Sequence, residues 1–159
     1  GGMSVYIREL ARKLGQIGHR VDIFTRETDP KADTILPLFD NVRLVYLNIN
    51  HSDPISKNDL YQHIPDFWGS ADMFRRRGRH HYDIIHSHYW LSGCLGLFAQ
   101  NHWATPHILM FHTLGAIKNR LRLPPVEPES RLRAEKQLAL SCHRILVAAE
   151  RDRALLKRY

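Results

Sequence analysis

The sequence has little cysteine, no long apolar run and fewer acidic than basic residues. Cys94 and Cys142 are the two cysteines among 159 residues, and both lie in apolar segments. We therefore expect buried thiols in a reducing compartment rather than a disulfide. No run approaches the roughly 20 apolar residues of a membrane span, and the N-terminus lacks a signal-peptide pattern. These absences predict a soluble, cytoplasmic protein.

Basic residues outnumber acidic ones by 23 to 16, which gives a formal net charge of +7. A positive field concentrates anions, whether nucleic acid, membrane lipid or phosphate. The densest basic run, residues 75–79, is typical of a solvated helix end, and peripheral contact with anionic lipid is the alternative. Nucleic-acid binding is disfavoured, because no aromatic residues alternate with the basic ones and no binding motif occurs.

Short apolar strand patterns alternate with helical patterns along the chain. The first helix starts almost at residue 1 and stops near Gly18, and residues 26–41 and 121–128 read as loops. The further predicted strands are 21–25, 42–47, 82–87, 106–111 and 144–149, and the further helices are 59–76, 90–103, 129–141 and 150–159. This order predicts one α/β, Rossmann-like domain over residues 1–159, with a mostly parallel sheet and helices on both faces.

The two ends of the chain do not fit a complete doubly wound domain. Such a domain normally opens with a strand that leads into a glycine turn, but this sequence starts at the glycines themselves, Gly1 and Gly2. We therefore expect the first strand to be missing. We also expect a second domain to follow the final helix in the natural protein. Since this sequence does not include it, we expect the chain to be a fragment.

Polar residues cluster where two predicted strands end: His86-Ser87-His88-Tyr89-Trp90 and His112-Thr113-Leu114-Gly115. Ligands of open parallel sheets bind at these carboxyl ends, so we expect one shared crevice, although core histidines bonded to the backbone are the alternative. A metal site is disfavoured, since no cysteine or carboxylate completes the histidine set His80, His81, His86, His88 and His112. Nucleophilic hydrolysis is also disfavoured, because no Cys/His or Gly-x-Ser-x-Gly arrangement occurs.

Two further features suit anions. Gly1 and Gly2 precede the first helix, where backbone amides and the helix dipole favour phosphate, or they form a simple turn. Arg131 and Glu135 are four residues apart and would form a solvated ion pair, or the arginine would clamp a phosphate with Lys57 as a helper.

The succession of these segments resembles the N-terminal domain of retaining family 4 glycosyltransferases of the two-domain GT-B type. The resemblance spans the whole chain and is strongest to the branch that contains inositol-phosphate N-acetylglucosaminyltransferases and sucrose-phosphate synthases. It rests on Gly1-Gly2-Met3-Ser4-Val5-Tyr6 with Glu9-Leu10-Ala11, residues 19–26, residues 83–93, His112-Thr113-Leu114-Gly115 with Lys118-Asn119, and residues 131–135. The inositol-phosphate enzymes usually have asparagine at the position of Ser4.

The resemblance implies an acceptor-binding half of a retaining hexosyltransferase that is active at full length and inactive as this chain alone. A UDP- or GDP-linked sugar would be the co-substrate, without a cofactor or metal, and the missing C-terminal domain would make most donor contacts. The implied site residues are Gly1 and Gly2 for the donor diphosphate, His112 beside the anomeric centre, and Ser4, Lys57, Tyr89, Thr113, Arg131 and Arg133 for a phosphorylated sugar or polyol acceptor. The alternative is a stand-alone, non-catalytic module that binds a sugar phosphate.

Overall fold

The structure, a computed structural model, describes residues 1–26, 34–49, 55, 59–122, 124, 126–147 and 149–157. Its contacts form two compact units, Gly1–Arg79 and His80–Tyr159, while the single domain expected from the sequence stays a prediction. The described elements are α1 (Gly2–Gln16), β1 (Val21–Arg26), β2 (Ile35–Phe39), β3 (Val42–Leu47), a 3-10 helix (Asp59–His63), α2 (Ile64–Arg77), β4 (Ile85–His88), α3 (Trp90–Trp103), β5 (His107–Met110), α4 (Gly115–Arg120), α5 (Glu129–Ser141), β6 (Arg144–Leu146) and α6 (Glu150–Leu156).

The first unit contains a three-stranded sheet of order β1-β3-β2, in which β1 runs parallel and β2 antiparallel to β3. The prediction of a loop throughout residues 26–41 is wrong, because β2 lies inside it. Pro37 hides this strand from a sequence pattern, since proline cannot donate to a ladder. β2 tolerates it at the sheet edge, with a register shift between Pro37 and Phe39.

A cross-strand ion pair joins β1 to β3 in the same unit. Asp22 and Arg43 are direct partners, and Arg43 donates from Nε at 2.6 Å and from Nη2 at 3.0 Å to the two carboxylate oxygens. The Arg43 guanidinium also lies 5.5 Å from the ring centroid of Phe74 in α2. Arg43 therefore joins the two strands at this register and also contacts α2.

The second unit contains the parallel sheet β4-β5-β6, with α3 between the first two strands in sequence and α4 and α5 between the last two. Its core includes Leu109 of β5, 0% exposed, and Leu138 of α5, 1% exposed, together with Trp90 and Phe111. Parallel strands joined by helices confirm the predicted Rossmann-like α/β architecture.

Several elements of this unit differ from the sequence-based expectation, and β5, β6 and α6 are shorter than predicted. β4 begins at Ile85 rather than at residue 82, and residues 115–120 form the short helix α4, which was not predicted. The glycines of α3 allow it to pack closely against the sheet. A Cβ on Gly96 would lie 2.5 Å from His107 Nε2 and would also overlap Ser87 Oγ.

Candidate functional site

The residues that follow two neighbouring parallel strands adopt unusual backbone conformations. Tyr89, directly after β4, has φ 76° and ψ 156°, a region almost restricted to glycine, and His112, shortly after β5, has φ 61°. His88 is the register partner of Met110, and the Tyr89 N–H donates to the Met110 carbonyl at 2.8 Å. The polar clusters after β4 and β5 therefore share one end of the sheet, as expected, while the ligand crevice itself stays a prediction.

Three histidine rings lie against one another at this end of the sheet. Ring centroids are 4.2 Å apart for His86 and His88 and 5.2 Å apart for His88 and His112. His88 Nδ1 and His112 Nε2 are 3.0 Å apart and share one hydrogen. Burial, with both neighbouring histidines, lowers the pKa of His88 to about 3, and burial lowers the pKa of His112. Both rings are therefore predominantly neutral at pH 7.

Arg131 of α5 connects the two strand-end segments. Its Nη1 donates to the Tyr89 hydroxyl at 3.1 Å, and its Nη2 donates to the Thr113 carbonyl at 3.1 Å and to Thr113 Oγ1 at 3.2 Å. Its Nε donates to Glu135 at 2.7 Å. Because the two side chains of this ion pair are 1% and 0% exposed, the expectation of a solvated pair is wrong. The pair is fully enclosed by the fold.

A second carboxylate, that of Glu127, reaches the same guanidinium. Its Oε2 lies 2.8 Å from Arg131 Nη1, and its Oε1 accepts a hydrogen bond from Lys118 Nζ. Burial acts to raise the pKa of Glu127, but the hydrogen bonds from Lys118 and Arg131 outweigh it, so that the pKa is lowered. Glu127 is therefore ionised at neutral pH and bridges two cations.

Glu135 ties α5 to the turn after β5. Its two carboxylate oxygens accept the Gly115 N–H at 3.1 and 2.9 Å, at the start of α4. Burial raises the pKa of Glu135, while Arg131 and the Gly115 N–H act against that shift. Since both oxygens are engaged at zero exposure, this carboxylate is a fixed part of the site's framework.

Four of the other predicted site residues are among the described residues, and one is not. Arg133 is exposed, and a step of two residues places it roughly 200° around the helix from the buried arginine. Gly1, Gly2 and Ser4 form the exposed start of α1 in the other compact unit, and Gly1 is its N-cap residue. Lys57 lies outside the described residues. The roles assigned to these five residues stay predictions.

The structure also bears on the metal site, the thiols and the membrane contact that the sequence raised. Within the described ranges, no three His, Cys, Asp or Glu side chains are grouped so as to hold a metal ion. Cys94 and Cys142 are free, and burial raises their pKa values to about 12 and about 11, so both are protonated thiols. In the basic run at the end of α2, Arg75 pairs with Asp72 at 3.2 Å. None of the helices described is both long and apolar enough to cross a membrane.

Sequence reasoning assigned no role to Lys118, Asn119 or Glu127. The last of these could have been found, because Glu127, Arg131 and Glu135 recur at intervals of four residues, the spacing of one helical face. No spacing signal exists for the other two, since they reach the cluster from α4, a separate short helix.

Several known proteins are similar to this chain. Residues 1–159 match the model of Glycosyltransferase Family 4. D-inositol 3-phosphate glycosyltransferases are similar: the one from Corynebacterium glutamicum (strain R) is 40% identical over 87% of this chain and 34% of its own length, and the one from Corynebacterium aurimucosum is 35% identical over 100% and 38%. The chain thus spans little more than a third of these relatives.

A solved structure of sucrose-phosphate synthase from Thermosynechococcus elongatus is also similar, with a TM-score of 0.91 and 27% identity over 100% of this chain and 40% of that one. This match and the family model confirm the resemblance found in the sequence motifs, including the Rossmann-like architecture of a GT-B N-terminal domain. The chain belongs to glycosyltransferase family 4.

Proposed function

We propose that this chain is the acceptor-binding part of a retaining glycosyltransferase. In this proposal a sugar moves from a UDP- or GDP-linked donor to a hydroxyl of a phosphorylated sugar or polyol. The observation that supports it most strongly is the arrangement of Tyr89, Thr113 and Arg131 beside His112 at the ends of β4 and β5. Two similar proteins, the inositol 3-phosphate glycosyltransferase and the sucrose-phosphate synthase, are both named after a phosphorylated sugar or polyol.

The chemistry of the cluster supports a phosphate on the acceptor. A guanidinium offers two parallel N–H donors to phosphate, and the hydroxyls of tyrosine and threonine add neutral donors. Arg131 brings the Tyr89 and Thr113 hydroxyls within 3.2 Å of its own nitrogens, so a phosphate there would meet a dense set of donors. Lys57 and Arg133 are proposed as additional cations, and Ser4 as a contact to the acceptor.

The proposed reaction makes limited demands on the protein. The acceptor hydroxyl attacks the anomeric carbon from the face that the nucleoside diphosphate leaves, so the enzyme must orient two substrates and stabilise the charge on the leaving phosphate. The backbone amides of Gly1 and Gly2, at the positive end of α1, suit the donor diphosphate. His112, neutral at pH 7, is suited to donate or accept one hydrogen bond beside the reacting centre.

Transfer by the full-length gene product tests the proposal. The protein is supplied with UDP- and GDP-linked sugars and with acceptors in matched pairs, D-inositol 3-phosphate with inositol and a hexose phosphate with its hexose, while release of nucleoside diphosphate is measured. We expect release that depends on a phosphorylated acceptor. Equal release with phosphorylated and plain acceptors would reject the phosphate site, and acceptor binding without any release would favour a non-catalytic module.

His112 provides a residue-level test of the same reaction. We expect His112→Asn to lower kcat by roughly 10²–10³, the usual effect of removing a hydrogen bond to a transition state, with little change in acceptor KM. His81→Asn is the matched control, because His81 is 83% exposed. Turnover that His112→Asn leaves unchanged would remove this histidine from the active centre.

A further inference from the structure

The carboxylate of Glu127 occupies the cations to which an anionic ligand would bind. It contacts Arg131 Nη1 at 2.8 Å through one oxygen and Lys118 Nζ through the other. The same Nη1 donates to the Tyr89 hydroxyl at 3.1 Å. A carboxylate that bridges two cations beside a phenol hydroxyl makes the contacts expected of two oxygens of a bound phosphate.

The charges of the cluster are already balanced without any ligand. Lys118 and Arg131 supply two positive charges, and Glu127 and Glu135 supply two negative ones. A phosphate added to this neutral set would approach an ionised carboxylate at close range, which is strongly unfavourable. One carboxylate must therefore leave the cations when a phosphate binds.

Glu127 is the carboxylate that can leave. Glu135 has no exposure and holds both Arg131 Nε and the Gly115 N–H, so its displacement would open the start of α4. The side chain of Glu127 retains 11% exposure and comes from the irregular segment before α5. Its carboxylate can turn towards water while the framework stays in place.

The backbone of Glu127 is held independently of its carboxylate. The Asn119 amide accepts the Glu127 N–H at 2.7 Å and donates to the Glu127 carbonyl at 3.0 Å. Displacement therefore needs only rotation of one side chain about a fixed backbone. Because the backbone stays in place, attraction to Lys118 and Arg131 can bring the carboxylate back when the ligand departs.

We propose that Glu127 is a built-in competitor of the acceptor phosphate, and that Lys118 is a phosphate ligand released when Glu127 is displaced. The inference rests on the proposed function, since it assumes a phosphorylated acceptor at this cluster. A phosphate with a charge near −2 can displace a carboxylate of −1 from the two cations, because its attraction to them is stronger. A neutral acceptor has no charge with which to displace the carboxylate. Glu127 thus lowers the affinity for phosphorylated acceptors, leaves the affinity for plain acceptors unchanged, and balances the charges of Lys118 and Arg131 in the absence of a phosphate.

Binding measurements on the full-length gene product test the inference. Glu127→Gln keeps the size of the side chain and the backbone bonds to Asn119 but removes the charge. Calorimetry with D-inositol 3-phosphate, inorganic phosphate and inositol as probes should show Kd for the two phosphates falling by roughly 5–20-fold, within the range of coupled sites, while Kd for inositol stays unchanged. Glu129→Gln, an exposed change of equal charge at the start of α5, should shift each Kd by less than about twofold.

The outcomes separate this inference from the proposed function. A wild-type protein that binds neither phosphate probe more tightly than inositol would reject the phosphate site itself. A wild type that prefers phosphates, combined with a Glu127→Gln variant that is no tighter than Glu129→Gln, would overturn the competitor role alone. In the double variant Glu127→Gln/Lys118→Met, the tighter phosphate binding of Glu127→Gln should be lost. If it is kept, Lys118 is not a phosphate ligand. Should Glu127→Gln not fold, Glu127→Asp replaces it, because its shorter side chain is also expected to lower Kd.

Discussion

Arg131 shows how burial changes the contribution of an ion pair to stability. On an exposed helix face, a pair such as Arg131–Glu135 contributes only about 0.3–0.5 kcal/mol. Here the guanidinium is 1% exposed, and its donors also go to Tyr89, Thr113 and Glu127. Loss of the arginine would leave a carboxylate buried without its cation, and such a loss costs far more than an exposed pair contributes.

We therefore expect Arg131→Met to lower the free energy of unfolding by about 3–5 kcal/mol, as for other broken buried pairs. Arg133→Met, two residues further along α5 and exposed, should change it by less than about 0.5 kcal/mol. Urea unfolding followed by tryptophan fluorescence measures both. Equal losses for the two variants would show that enclosure of Arg131 does not determine its contribution.

The residues of the site differ in how far the sequence could predict them. Tyr89, His112 and Thr113 follow apolar strand patterns, so the general rule for parallel sheets was enough to predict their position. Lys118 lies in α4 and Glu127 in the segment before α5. They meet where the Asn119 amide forms two hydrogen bonds with the Glu127 backbone. No local period encodes such a contact.

Among the secondary-structure elements, length and periodicity decided which ones could be predicted. β3, α3 and α5 have the predicted bounds, because β3 and α3 carry long apolar patterns and α5 begins directly after Pro128. β2 was missed because of its proline, and α4, with six residues, is too short to show a helical period. Their positions depend on the sheet edge and on Glu135, which are tertiary features.

The packing of α3 against the sheet depends on a glycine surface. Gly96→Ala would force a methyl group against His107 and Ser87, so we expect it to lower the free energy of unfolding by about 1–3 kcal/mol. Gly69→Ala in α2 is the control, because open space surrounds Gly69 and alanine should raise stability there by about 0.5–1 kcal/mol. Thermal unfolding of both variants checks the contrast, and a Gly96→Ala protein as stable as Gly69→Ala would contradict it.

For the molecule as a whole, buried neutral histidines predict sensitivity to acid. Burial, with His143 and His86, lowers the pKa of His107 to about 4, and His88 is shifted in the same direction. Because these folded-state pKa values lie below the unfolded value of about 6.5, the unfolded chain binds more protons between these limits. Their contribution to stability is complete above about pH 6.5 and is lost as the pH falls towards 4 and 3.

We expect the free energy of unfolding to fall by roughly 1–3 kcal/mol between pH 7.5 and pH 5, above the range in which most carboxylates titrate. His107→Gln removes one titrating ring but keeps a polar group near Ser87 Oγ. In this variant the free energy of unfolding should depend less steeply on pH. Urea unfolding at a series of pH values measures it. A slope that the variant leaves unaltered would mean that His107 does not carry the effect.

The backbone at Tyr89 has a consequence for laboratory evolution of this protein. A tyrosine held at φ 76° and ψ 156° costs of order 1–3 kcal/mol, and glycine at this position would relieve most of that cost. The same exchange would delete the phenol that Arg131 binds at 3.1 Å. Selection for heat resistance alone would therefore favour a small residue at this position, and selection for turnover would restore the aromatic ring. Libraries screened under the two pressures should diverge first at residue 89.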